Sequence, residues 1–201
     1  MKLPSLPGAG PGSAPQNSTY LSGQFLVAMP QLRDHRFHKA VIYICAHSAE
    51  GAMGLVINKT LESLTVTDLM SHLSVPVSVE LPAAPVHFGG PVETARGFVL
   101  HGRDYIEDSS LVVGPDMALT ATLDILRAVA RGEGPRRYLM ALGYAGWGPG
   151  QLDAEIQANS WLHIPYDDKL LFDSGHETKW GRALGRLGID LGLLSTEAGH
   201  A

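Results

Sequence analysis

The stretch that most constrains this fold runs from Tyr138 to Trp161, YLMALGYAGWGPGQLDAEIQANSW. Tyr138 to Tyr144 has the length and apolar content of a strand. Gly146-Trp147-Gly148-Pro149-Gly150 follows, where glycine loosens the backbone and proline lacks its N–H, so the residues predict a loop. From Gln151, Leu152 and Ile156 fall four apart, the spacing of a helix. Strand, glycine loop and helix can present backbone N–H groups to a ligand. Asp153 and Glu155 would repel a phosphate there, and neither a P-loop lysine nor GxGxxG spacing is present. The residues therefore mark a place for a site without specifying its chemistry.

Around that stretch the chain reads as one domain. Its 201 residues are enough to bury a sizeable core. Residues 1–19 carry four prolines and three glycines among few bulky apolar groups, which predicts a flexible tail. A lone Lys2 and no apolar run after it argue against a signal peptide. The domain spans residues 20–201. No apolar run approaches the roughly 20 residues of a membrane helix. A net charge of −5 gives no dominant phosphate-binding surface, so neither membrane nor nucleic acid is expected as a partner. A single cysteine cannot form an internal disulfide and suits a reducing, cytoplasmic setting.

Strands are expected at Gln24–Met29, Ala40–His47, Met53–Asn58, Val86–Phe88, Gly97–His101, Ser110–Val113, Trp161–Ile164 and Lys169–Phe172. Ser48–Gly51 reads as a hairpin turn. AVIYIC is apolar on both faces, as a central strand covered on two sides requires. Helices are expected at Thr65–Leu73, with Thr65 or Thr67 as N-cap and Leu69, Met70 and Leu73 inward. Another is expected through Leu119, Leu123, Leu126 and Ala130, a third from Gln151, and a last from about Lys179. Val75–Pro85 reads as irregular. The fold class is α+β: one domain, a mainly antiparallel sheet, and about four short helices packed on it.

Several ordered motifs then resemble the bacterial YqgE/AlgH family. They are FLVAMP (Phe25 to Pro30), HSAEGAMGLVINK (His47 to Lys59), FGGPV (Phe88 to Val92), GFVLH (Gly97 to His101), GYAGWGPGQLDAEI (Gly143 to Ile156), NSWL (Asn159 to Leu162) and LSTEAGHA (Leu194 to Ala201). The resemblance covers nearly the whole chain after the tail. It implies a bacterial, cytosolic α+β domain whose biochemical activity is not established, although members have been labelled as transcriptional regulators. It supplies no catalytic residues to carry over.

Glycine turns, amides and aromatics at strand ends mark a candidate ligand groove of Asn58, Gly89, Gly90, His101, Tyr144, Trp147, Gln151, Glu155 and Asn159. Gln151, Glu155 and Asn159 at i, i+4 and i+8 would form its polar wall. Binding of an unidentified small molecule or protein, without turnover, is the leading expectation. The alternative is an enzyme for a small polar substrate with Glu155 or His101 as general base. Cys45 and His47, two apart on a strand, could pair as thiolate and imidazole, though an apolar strand favours a buried, inert thiol. His35 and His38 are spaced i, i+3 without a metal motif, and His87 and His101 could meet across a hairpin. No metal site or cofactor is expected. Lys179, Arg182 and Arg186 form a basic helix face, expected to be solvated rather than DNA-binding.

Overall fold

A computed structural model describes residues 20–189; the expected tail and the LSTEAGHA ending lie outside the described residues. In chain order the elements are β1 (Phe25–Ala28), β2 (Val41–Ser48), β3 (Gly51–Val56), β4 (Thr60–Thr65), α1 (Val66–His72), β5 (Pro85–Phe88), β6 (Val92–Gly102), β7 (Leu111–Val113), β8 (Met117–Thr120), α2 (Leu123–Ala130), β9 (Tyr138–Trp147), α3 (Gln151–Gln157), β10 (Trp161–Ile164), α4 (Asp168–Phe172) and α5 (Lys179–Arg186). Short 3-10 turns occupy His35–Phe37 and His176–Thr178.

The strands join in the order β10-β1-β2-β3-β9-β6-β8-β7, with β5 alongside β9 and β4 on β5. Among the described pairs only β5–β9 is parallel. β9 is the seam. One edge pairs with β6 from Tyr138 to Tyr144. Its other edge takes β5 at Met140–Leu142 and β3 at Ala145–Trp147. The molecule is therefore an α+β domain built on a curled, mainly antiparallel sheet, as its sequence pattern predicts.

Why the sheet is covered on both sides follows from β1 and β2. Alternate side chains of a strand point to opposite faces. Phe25, Val27, Val41 and Tyr43 pack in one cluster with Leu170, Leu171, Trp180 and Leu184 of α4 and α5. Leu26, Ala28, Ile42 and Ile44 pack in another with Leu152 of α3 and Trp161. A third cluster sets Val66 and Met70 of α1 and Ile125, Leu126 and Val129 of α2 against Val86, Val99 and Met140. α1 starts as read from the sequence: Thr65 caps Asp68 N–H while the Asp68 carboxylate accepts Thr65 N–H.

Four local expectations give way. Lys169–Phe172 is helix, not strand. The Asp167 carboxylate caps Leu170 N–H at 2.6 Å, and two adjacent leucines carry no period that separates the two states. Leu119 lies in β8, and the helix starts only at Leu123. Gly146 and Trp147 continue β9, because Met53 and Ala52 offer the ladder partners that a glycine alone does not supply. Leu73 is not inward but 42% exposed.

Candidate functional site

The end of β9 holds three of the predicted groove residues together. The Glu155 carboxylate accepts the Trp147 indole N–H at 2.9 Å and the Trp161 indole N–H at 2.8 Å on one oxygen. Its other oxygen accepts the Gln151 amide at 2.8 Å, and the Gln151 carbonyl in turn accepts Gly148 N–H at 3.0 Å. Both indoles are buried and meet edge to face, 5.9 Å between centroids, with Phe37 against each. Glu155 is thus a clamp: it satisfies two buried donors and fixes α3 to β9 and β10. Asn159 does not extend its stripe. The helix ends at Gln157, and Asn159 turns the chain at φ +56° while its carbonyl accepts from Gln31.

Gly89, Gly90 and Tyr144 lie further back along β9. Gly89 N–H donates to Leu142 O, and Gly89 O accepts Val56 N–H, so the chain is threaded between β3 and β9. A Cβ on Gly89 would strike Gly143 O, one on Gly90 would strike the Tyr144 backbone, and one on Gly143 would strike Gly90 O. These glycines are spacers for touching backbones. Tyr144 is half-buried, edge-on to Phe98 at 5.7 Å. Asn58 bridges backbone instead of facing a ligand, accepting Val41 N–H at 2.7 Å and donating to Lys39 O at 2.9 Å.

His101 pairs in register with Tyr138, at the opposite end of β9 from Trp147. Nine residue steps at about 3.3 Å separate those ends by about 30 Å. The structure does not bring His101 to the Glu155 cluster, so the nine residues do not line one groove. His101 is fully buried. Its Nδ1 lies 2.9 Å from Gly102 O, which can only accept, so that nitrogen carries the proton. Nε2 then accepts from the Thr120 hydroxyl at 2.9 Å, and Ser110 donates to Thr120 at 2.7 Å. Beside this chain the Glu107 carboxylate accepts from Tyr105, Ser109 and Thr122 hydroxyls. Burial holds the His101 pKa below its ordinary value.

The other marked residues separate as well. A bulge between Ile44 and Ala46 breaks the alternation of β2, so Cys45 and His47 do not pair. Cys45 sits in the core with its thiol pKa pushed well up by burial. His47 Nδ1 accepts Leu21 N–H at 3.2 Å. His87 meets His176, not His101. Among the described residues no set of three or more His, Cys, Asp or Glu is arranged to hold a metal. The basic face of α5 also dissolves. Lys179 is fully buried, while Arg182 and Arg186 pair with Asp173 and Asp167. Among the described residues no helix is long and apolar enough to cross a membrane.

What the sequence pattern missed is an apolar groove of about 460 Å³. Leu69 of α1 and Leu73 just past its end form one wall, Leu123 and Leu126 of α2 the other, and Val99, Met140 and Leu142 the floor. Leu73 and Leu123 are 42% and 44% exposed, unusual for leucines on core-packed helices. Arg96 also borders it, but its guanidinium turns to the other face of β6, over Phe98 at 5.2 Å and held by Glu93 at 2.9 Å. Thr122, tied to Glu107, stiffens the rim. The available signal was one leucine too many on each short helix, which looks like ordinary core periodicity.

A profile of the family described as AlgH-like matches residues 25–192. A UPF0301 protein of Rhodospirillum rubrum is 55% identical over 182 residues, 90% of this chain and 95% of its own. Another from Afipia carboxidovorans is 52% identical over 192 residues, 92% and 91% of the two chains. The solution structure of the AlgH protein from Pseudomonas aeruginosa superposes with a TM-score of 0.73 at 41% identity, covering 94% of this chain and all of that one. A Corynebacterium diphtheriae protein at 21% identity shares the fold, with a TM-score of 0.70 over 92% of this chain and 95% of that one.

Proposed function

The chain belongs to the AlgH-like family, and from that premise we propose that it is a regulatory binding module whose output is occupancy rather than turnover. Its ligand is amphipathic and lies in the groove between α1, β6 and α2. The observation that carries this reading is the groove itself: about 460 Å³ walled by leucines, two of them substantially exposed, with a few polar groups at the rim. Concave, mostly apolar sites with a small number of placed polar groups are how folded domains hold small ligands. The polar groups at that rim are Thr122 and Asp124.

The geometry favours this over the enzyme alternative at the two bases named from sequence. A general base needs a free lone pair within reach of the proton it removes. Three of the roughly four Glu155 lone-pair sites already accept donors, two of them from buried indoles, and both His101 nitrogens are engaged in a fully buried site. A DNA-binding regulator would need unpaired cations, and the α5 arginines are paired with carboxylates.

Octanoate and octanol serve as probes, read by methyl NMR. Both are expected to shift the methyls of Leu73, Leu123 and Leu126, and Leu123→Arg to abolish both effects. Silent groove methyls with every apolar probe would refute the site. Conversion of a bound probe, seen in its own spectrum, would refute the absence of turnover.

A further inference from the structure

Where β6 runs beside the leucine groove, Gly97 keeps its backbone groups unspent. Successive residues of a strand inside an antiparallel sheet turn their N–H and C=O alternately to the two neighbours. Leu142, the partner of Gly97 in register on β9, is turned away from it, because Leu142 O accepts Gly89 N–H on the β5 side at 2.8 Å. Gly97 therefore directs its N–H and C=O to the opposite edge of β6. Arg103, an even number of steps along, points the same way, its N–H reaching Asp116 O just before β8.

β8 covers that edge only as far as Val99, which stands opposite its last residue, Thr120. The chain then leaves for α2, held aside by the Thr122 hydroxyl on the Glu107 carboxylate at 2.9 Å. Among the described residues neither the N–H nor the C=O of Gly97 has a hydrogen-bond partner. Gly97, Ala121 and Thr122 all line the leucine groove, so the length of edge that β8 vacates opens into it.

The place is shaped for one extended residue. Residues directly opposite each other across a strand pair set their side chains on the same face of the sheet. A Cβ on Gly97 would stand 3.4 Å from Met140 Cε and 3.9 Å from Leu142 Cδ2, both on the groove floor. A side chain brought opposite Gly97 is thus delivered over that floor, toward Leu73 and Leu123, and Gly97 itself takes up none of the room. A plain fatty chain would fill the leucines and leave both Gly97 groups to water. A peptide residue fills the leucines and meets both groups.

We propose that the ligand of the groove is a short, neutral, apolar peptide segment in extended conformation. One large aliphatic residue of it pairs its N–H and C=O with Gly97 and sets its side chain among the leucines. This rests on the groove reading above and adds to it the class of ligand. Strand addition of this kind draws affinity from main-chain bonds and specificity from the side-chain pocket.

The test uses the full ¹⁵N-labelled chain. In the free protein the Gly97 amide should exchange with solvent at least about a hundredfold faster than that of Phe98, which is turned to β9. N-acetyl-leucine N′-methylamide is expected to shift the Gly97 amide together with the methyls of Leu73 and Leu123 in one saturable titration. Its ester analogue, with oxygen in place of the leucine N–H, should bind about tenfold more weakly, because Gly97 O then faces an acceptor. Equal affinity for amide and ester overturns the proposal, as does a Gly97 amide that exchanges no faster than Phe98. If octanol moves the leucine methyls while the peptide leaves the Gly97 amide unmoved, the groove stands and the peptide assignment falls. Methyls silent to octanoate, octanol and peptide alike remove the groove and this proposal with it.

Discussion

Replacing Glu155 by alanine tests the clamp at the end of β9 most directly. The carboxylate is the acceptor for the indole N–H groups of Trp147 and Trp161, which are 7% and 1% exposed. A buried donor left unmet costs about 1–3 kcal/mol, so two cost about 2–6 kcal/mol, with the exposed Gln151 adding little. For a domain of this size 1 kcal/mol moves Tm by about 2–4 °C. A mid-range loss of about 4 kcal/mol therefore lowers Tm by about 8–16 °C. Glu155→Gln keeps a carbonyl oxygen for the indoles and forgoes the charge assistance and the exposed bond from Gln151, about 1–2 kcal/mol in all. Calorimetry gives the melting temperatures, and tryptophan emission reports the indoles directly. Alanine should shift that emission, whereas glutamine should leave it nearly unchanged. Octanoate binding at the distant leucine groove should survive both changes. A Glu155→Ala protein melting within about 2 °C of wild type would refute the clamp and return Glu155 to candidacy as a functional carboxylate.

Lys179 donates to Leu170 O at 2.6 Å and Leu171 O at 2.9 Å and lies 3.3 Å from Asp173. Lys179→Met strands two buried carbonyls but recovers the desolvation of an ammonium, and Asp173 keeps Arg182; a net loss of about 2–3 kcal/mol in urea denaturation is expected, and unchanged stability would refute the role. For His87, burial foremost lowers the pKa from 6.5 to about 4. Between those values the unfolded chain binds a proton the folded one does not, so stability falls as pH drops from about 6.5 to about 4 and levels off below. At about 1.4 kcal/mol per tenfold change in proton affinity the loss reaches about 3 kcal/mol. His101 and His176 act in the same direction, so His87→Gln should flatten the profile in part, and an unaltered slope would contradict the assignment. Gly143→Ala combines a left-handed φ of +72° with a Cβ against Gly90 O; a loss above about 3 kcal/mol is expected in denaturant, and a near-neutral effect would refute the close crossing.

Local order was written in the chain itself. The apolar run at Ala40–His47, the hairpin residues at Ser48–Gly51 and the Thr65 cap each act within a few residues, so spacing and residue type were enough to place β2, β3 and α1. The family motifs were legible for the same reason: they are contiguous strings. Glycines at 89, 90 and 143 were visible as exceptions, but their purpose, keeping two backbones in contact, depends on partners some 50 residues away. The same holds for the site. That Glu155 would answer two tryptophans, that Lys179 would be buried, and that His87 would meet His176 are outcomes of long-range packing. Side-chain chemistry and periodicity determined which segments bury and which turn. Only the folding of β9 between two different neighbours decided which polar atoms were satisfied, which were left without a partner, and where leucines stayed open to solvent.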